Sequence, residues 1–245
     1  MKKIVWLIFL AVFCSGATIY QVIGQTSRTD QEIKSDPKNI REIFLTVPWP
    51  KAEKDSVTGQ AIEKVGDFDH RRMLVDKIEP GKGNSVIDHA NGYLRIDLDQ
   101  SLYVVMTYFQ KSGGERLVVL QIADSNTPNL NPITDNYLFT LDHGNYTPEL
   151  LTAYLPKITL TDFWGTQPLP RPALRKMIDN SFYIEWPRKG TIVSISFDEP
   201  DFDVDSPETI ELEKNMKKRQ FDRMELAWDK QSGTFIKGRK TKDKK

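Results

Sequence analysis

The sequence predicts a β-dominated α+β fold: a central antiparallel sheet of hairpins with an N-terminal amphipathic helix packed on one face. Three observations carry this. The runs LYVVMTYFQ (102–110) and RLVVLQIA (116–123) flank Ser112-Gly113-Gly114, where glycine supplies the positive φ of a tight turn. Both faces of the first run are apolar, with Leu102, Val104, Met106 and Tyr108 on one side and Tyr103, Val105 and Phe109 on the other. A strand with one wet face would alternate instead, so this hairpin should sit centrally under two covers. Finally, Ile40, Ile43, Phe44 and Val47 form a helical stripe between Asp36-Pro37 and Pro48. Aspartate suits the cap and proline the first helical position, which predicts a helix over 37–47.

The remaining elements follow in order. Residues 18–35 are polar and aperiodic and read as a flexible lead-in. DFDHRRMLVDKI (67–78) can form a short helix ended by Pro80-Gly81, and 81–92 is rich in turn residues. Tyr93 to Leu98 alternates as a half-buried strand, and 124–136 is dense in Asn, Pro, Asp and Thr, as a surface loop is. Tyr137 to Leu141 reads as a strand, Thr147-Pro148-Glu149 as the start of a helix through Tyr154, and Ile158 to Thr161 as a strand. Prolines 168, 170 and 172 bar a central strand over 164–172, which is the candidate boundary inside an otherwise single unit, 36–236. SFYIEW (181–186) and TIVSISF (191–197) form a second hairpin, available to cover the other face of the first. A helix over 207–221, with Asp205 and Glu208 spaced as a capping box, and a third hairpin from 224–228 and 234–237 complete the body.

The ends carry information about location. Lys2 and Lys3, the apolar run Ile4 to Cys14 and the small residues Ser15-Gly16-Ala17 have the layout of a secretory signal peptide, 1–17, with Gly24 as a second exit point. Two alternatives stay open: an uncleaved anchor over 4–23, and lipidation at Cys14, against which Phe13 stands where a small residue is required. Cys14 is the sole cysteine, so its removal leaves no disulfide, no thiol catalysis and no thiolate metal site. The chain balances 34 basic against 34 acidic groups, but 237–245 carries six basic residues and one acid. Without that segment and the two leading lysines, 26 basic groups face 33 acidic ones, a body that should not attract nucleic acid. The 237–245 segment itself reads as a solvated, disordered tail.

Sites are sparsely signalled. Asp201, Asp203 and Asp205 have the opening spacing of a calcium loop, yet Ser206 and Leu212 stand where Gly and Glu belong; the plainer alternative is a solvated acidic loop, and no other cofactor is indicated. Each histidine follows an aspartate, and Asp88-His89 and Asp142-His143 are the candidates for acid–base or metal work. Neighbours on a strand point to opposite faces, so the dipeptide alone is not a dyad. Nucleophile elbow, zinc helix and phosphate loop are missing; Gly81-Lys82-Gly83-Asn84-Ser85 has the residue types of the last without its spacing. Trp49, Trp164, Trp186 and Trp228 can stack on sugars or close the ends of a β core, and Trp164, in FWGTQPLPRP, is the candidate for glycan or peptide binding.

The leader, REIFLTVPWP, HRRMLVDKI, GYLRIDLDQSLYVVMTYFQKSGGERLVVLQIA, a Pro/Asn-rich loop and the closing LAWDKQSGTFIK occur in an order that resembles small exported bacterial proteins classed as domains of unknown function. The resemblance implies export to the periplasm or cell surface and carries over no catalytic residue. The expectation is a non-enzymatic envelope protein that binds a protein or glycan partner, without a membrane span once the leader is gone. The alternatives are a hydrolase built from dispersed Asp/His groups and a structural component of an envelope assembly.

Overall fold

The computed structural model describes residues 28–50, 63, 65–98, 101–124, 133–178, 182–197 and 206–242. Its centre is the expected hairpin. β3 (Leu102–Gln110) and β4 (Arg116–Asp124) pair without interruption from Leu102↔Asp124 to Gln110↔Arg116. Gly114, at φ 96°, closes the turn and donates its N–H to the Lys111 carbonyl at 3.2 Å. The two strands occupy the middle of a six-stranded antiparallel meander. On one side lie β1 (Val86–Asp88) and β2 (Tyr93–Asp97), on the other β5 (Ile133–Asp142) and β6 (Asn145–Glu149). A second antiparallel meander holds β7 (Phe182–Glu185), β8 (Ile192–Phe197), β9 (Arg223–Asp229) and β10 (Thr234–Thr241). The fold is therefore α+β and β-dominated, with two sheets.

Both faces of the central hairpin are covered. Leu102, Val104, Met106, Val118, Leu120 and Ile122 pack with Ile40, Ile43 and Phe44 of the N-terminal helix. Tyr103, Val105, Phe109, Leu117 and Val119 pack with Ile184, Val193, Ile195 and Leu226 of the second sheet. The two faces separate by strand parity alone.

The first helices are α1 (Asp30–Ser35), α2 (Ile40–Thr46) and α3 (Phe68–Asp76). α1 corrects the reading of 18–35 as flexible, within its described part. Thr29 and Glu32 form a reciprocal capping box and Ile33 is buried. Because α1 closes on Asp36, that residue cannot also open α2. Asn39 caps α2 instead, accepting from the Glu42 N–H at 3.1 Å. The C-terminal end of α2 is closed from α3: Arg71 Nη1 donates to the carbonyls of Phe44 and Val47, each at 2.8 Å. Burial lowers the Arg71 pKa to about 10, which leaves the guanidinium charged at neutral pH, opposite the negative end of the helix dipole.

Other expectations need correction. β5 begins at Ile133, inside the expected loop, because Thr134, Asp135 and Asn136 pair with β4. The Thr147-Pro148-Glu149 segment is not a helix start but the edge strand β6, where a proline without an N–H is tolerated. The turn-rich stretch 81–92 contains the short strand β1. Ile158 to Leu160 is irregular chain, leading from α4 (Leu151–Tyr154) into α5 (Thr161–Trp164). With α6 (Pro172–Ile178) these helices carry the chain from one sheet to the other. α7 (Pro207–Met216) is capped by Ser206, not Asp205, since Pro207 takes the first helical position. On its exposed side Lys217 Nζ donates to Glu213 Oε1 at 2.6 Å, one turn apart.

The tail is the largest correction. β10 runs to Thr241, so most of the basic 237–245 segment is strand. A bulge between Lys237 and Lys240 puts these two residues, three apart, on the same side of the strand. Both reach Asp162 of α5, at 2.7 and 3.1 Å. Burial would raise the Asp162 pKa, but Lys237, the Thr159 N–H, Lys240 and the Thr159 hydroxyl outweigh it and hold the carboxylate at about 2.

Candidate functional site

The histidine candidates do not converge. Asp142 and His143 form the turn between β5 and β6, where Nδ1 and Oδ1 share a hydrogen bond of 2.6 Å. The His143 side chain is 89% exposed on this turn, with φ at 43°. His89 is exposed in the β1–β2 turn. Asp88 turns away from it, binding Asn91 Nδ2 at 3.0 Å and Arg188 Nε at 3.2 Å; the Asn91 bond is the main reason its carboxyl sits below the ordinary range. Among the described residues, neither histidine is hydrogen-bonded to a serine or to a second carboxylate that would complete a catalytic set. Asp201, Asp203 and Asp205 lie outside the described residues. Within those residues, no group of three or more His, Cys, Asp or Glu side chains could hold a metal ion.

Trp164 is overturned as a binding platform. It is fully buried, beside Phe163 in a helix that plugs the inter-sheet core, so its indole has no face to offer a sugar. Trp186 and Trp228 are core residues as well, 5% and 9% exposed. Their N–H groups donate to Asn136 Oδ1 and to the Gln110 carbonyl. The expectation that tryptophans close a β core holds for these three.

Trp49 is different. It is half-buried and lines a groove of about 360 Å³ at the β5–β6 end of the six-stranded sheet. The sequence names it among the tryptophans but gives no reason to prefer it, because its groove is made by strands ninety residues away. One wall is Trp49, Pro48, Tyr137 and Phe139; the other is formed by Asn136 and Glu149. Strand parity explains the split: Phe139 faces the helices, while Leu138, which is opposite Glu149, faces the second sheet. The groove therefore crosses the sheet edge from its apolar side to its polar side.

The walls are held from behind. Phe44 meets the Trp49 ring edge to face, with centroids 5.9 Å apart, and the Arg71 guanidinium lies 5.5 Å from the ring centroid. The indole N–H is sealed inside and has no hydrogen-bond partner among the described residues, so the groove meets indole carbon. On the other wall, Asn136 Oδ1 accepts from Trp186 Nε1 at 2.8 Å and Gln121 Nε2 at 3.3 Å. Gln121 is fixed in turn by donating Nε2 to the Ile184 carbonyl at 3.1 Å. Glu149 Oε1 accepts from the Thr140 hydroxyl at 2.7 Å. These contacts orient both polar side chains before any ligand arrives.

A second polar group lies across the gap between the sheets. Arg95 sits 4.1 Å from the Tyr103 ring centroid and pairs with Asp97 at 3.0 Å. Burial first, and then the hydroxyl of Tyr103 to which it hydrogen-bonds, raise the Tyr183 pKa. These groups satisfy one another and form a structural seam.

No protein-family model matches the chain, and no curated protein matches it. A solved structure does: a domain of an uncharacterized protein from Porphyromonas gingivalis W83 is similar over 81% of this chain and 97% of that domain, with a TM-score of 0.51 and 13% identity. At that identity the likeness is one of fold. Among the described residues, no helix is long and apolar enough to cross a membrane.

Proposed function

We propose that this chain is an exported, non-enzymatic binding module of the bacterial envelope, and that its ligand is taken in the Trp49 groove. The observation that carries the reading is the groove itself: an aromatic wall and two oriented polar side chains meet in it. The leader layout of residues 1–17, which lie outside the described residues, supports export. Exposed, unassembled histidines favour binding over hydrolysis.

The test is co-sedimentation with purified cell-envelope fragments. Wild-type protein should pellet, and Trp49→Ala should stay in the supernatant while keeping a folded circular-dichroism spectrum. A Trp49→Ala protein that pellets like wild type overturns the reading.

One feature favours a structural component of an envelope assembly as a second reading. Ile192 and Ile236, 51% and 53% exposed, both lie opposite Ala227 and make an apolar row on the outer face of the second sheet. Introducing charge into this row, as Ile192→Glu with Ile236→Glu, and thereby abolishing self-association in sedimentation velocity would support it.

A further inference from the structure

We infer that the Trp49 groove is a subsite for a neutral saccharide, a step that rests on the binding-module reading above. The inference comes from what each wall can and cannot offer. A sugar ring has an apolar C–H face and a rim of hydroxyls, each both donor and acceptor. It is matched by an aromatic plane beside one pure donor and one pure acceptor. The groove has that set.

The donor is Asn136, and its orientation follows without ambiguity. Indole Nε1 only donates, so the Asn136 atom it meets at 2.8 Å is the oxygen. Gln121 agrees: its amide nitrogen must be the atom facing the Ile184 carbonyl, and the same nitrogen reaches Asn136 Oδ1. With its oxygen engaged twice inside the protein, Asn136 has only its Nδ2 hydrogens left for the groove it lines. The acceptor is Glu149, whose Oε1 is occupied by the Thr140 hydroxyl and whose Oε2 is left without a hydrogen bond among the described residues. Asn136 and Glu149 are diagonal neighbours across the β5–β6 ladder, because Glu149 is opposite Leu138. That places their Cβ atoms about 7 Å apart or somewhat less, a separation that two hydroxyls of one pyranose can bridge.

The apolar face is supplied by Trp49. Its N–H is sealed away, its ring is held by Phe44 and Arg71, and Tyr137 extends the wall. The only formal charge among the six groove residues named above is the Glu149 carboxylate, which disfavours an anionic sugar. At about 360 Å³ the space is at the small end of ligand sites, enough for one or two rings.

The probes are maltotriose, cellotriose and chitotriose, titrated calorimetrically into the full chain. At least one should bind, and Trp49→Ala should abolish the heat. Two near-isosteric variants test the polar assignment. Asn136→Asp keeps the oxygen that Trp186 needs but loses the donor, and Glu149→Gln keeps the oxygen that Thr140 needs but loses the second acceptor. Each should weaken binding at least tenfold while the melting temperature stays within a few degrees of wild type.

Three results overturn the inference. If all three sugars fail while Trp49-dependent pelleting with envelope fragments persists and is destroyed by protease, the ligand is polypeptide; the saccharide falls and the binding module stands. If a sugar binds wild type, Asn136→Asp and Glu149→Gln alike, the polar assignment is wrong. Loss of Trp49 dependence in both assays removes the groove reading as well.

Discussion

The helix-covered face of the six-stranded sheet and the face that meets the second sheet are built from alternate residues of the same strands, yet they differ in kind. Toward α2 the buried strand residues are Leu94, Ile96, Leu102, Val104, Met106, Val118, Leu120, Ile122, Phe139 and Leu141, and among the described residues no polar strand side chain is buried on this face. Toward the second sheet, Thr107 and Gln121 are buried beside the apolar residues, and Asn136 and Thr140 lie on the same side. A helix satisfies its own backbone and asks only for an apolar bed. The second sheet instead leaves ends and an edge strand whose groups need partners, and Gln121 meets one of them by bonding the Ile184 carbonyl of β7. One face is a seal; the other is a stitched seam. The groove sits where the two meet, drawing its ring from the first and its polar pair from the second.

The largest way to break that contrast is to open the seal. Phe44 is fully buried on α2 and is also the ring behind Trp49. Phe44→Ala should cost about 3–5 kcal/mol in guanidinium unfolding, through lost burial and a residual cavity. It should also remove envelope-fragment binding under conditions where the protein is still folded, because the indole loses its support. Stability lost without loss of binding would separate the seal from the site and contradict their coupling.

Much of the seal was legible in the sequence, and little of the site. Two-sided apolarity in LYVVMTYFQ is a local signal, and it placed the hairpin between two covers. The IREIF stripe is equally local and identified the helix, though its cap moved to Asn39 because a neighbouring helix claimed Asp36. The Thr29-x-x-Glu32 capping box was also readable, but polar composition masked it. Trp49 could not be singled out. Its partners come from β5 and β6, and what makes it a platform is exposure, which sequence does not carry. Trp164 misled for the converse reason: proline-rich surroundings suggested a surface loop, while Leu160, Phe163 and Trp164 turn inward.

The seam should respond to acid where the seal does not. Asp162 is held by Lys237 and Lys240, and its pKa of about 2 lies below the ordinary 3.8. A carboxyl with a depressed folded pKa stabilises above its unfolded value, and the contribution is lost as pH falls through 4 toward 2. The lysines are partly exposed, so about 1–2 kcal/mol is the expected size. Asp162→Asn should lower stability by that amount at pH 7 and flatten the decline between pH 4 and 2, read from denaturant curves at each pH. Amide exchange in 237–241 should quicken with it, since β10 is an edge strand fastened at those lysines. An unchanged pH profile would mean that the pair does not fasten the strand.

The smallest effect is expected at the β5–β6 turn, outside both seal and seam. His143 holds a left-handed φ of 43°, which an L-residue adopts at a cost and glycine adopts freely. Its ring is solvated, and the bond to Asp142 is exposed on both sides. His143→Gly should therefore change stability by no more than about 1 kcal/mol, with the relief of strain opposed by a more flexible unfolded chain. Saccharide and envelope binding should be unaltered. The variant also discriminates between functions, because a hydrolase assembled from dispersed Asp and His groups would lose its rate on losing this ring. Release of product from any ester, amide or glycoside substrate by wild type, abolished in His143→Gly with stability intact, would place an active centre at this turn and overturn the non-enzymatic reading. Equal behaviour of the two proteins would leave the turn with a backbone role, in which His143 is tolerated because solvent and Asp142 satisfy its ring.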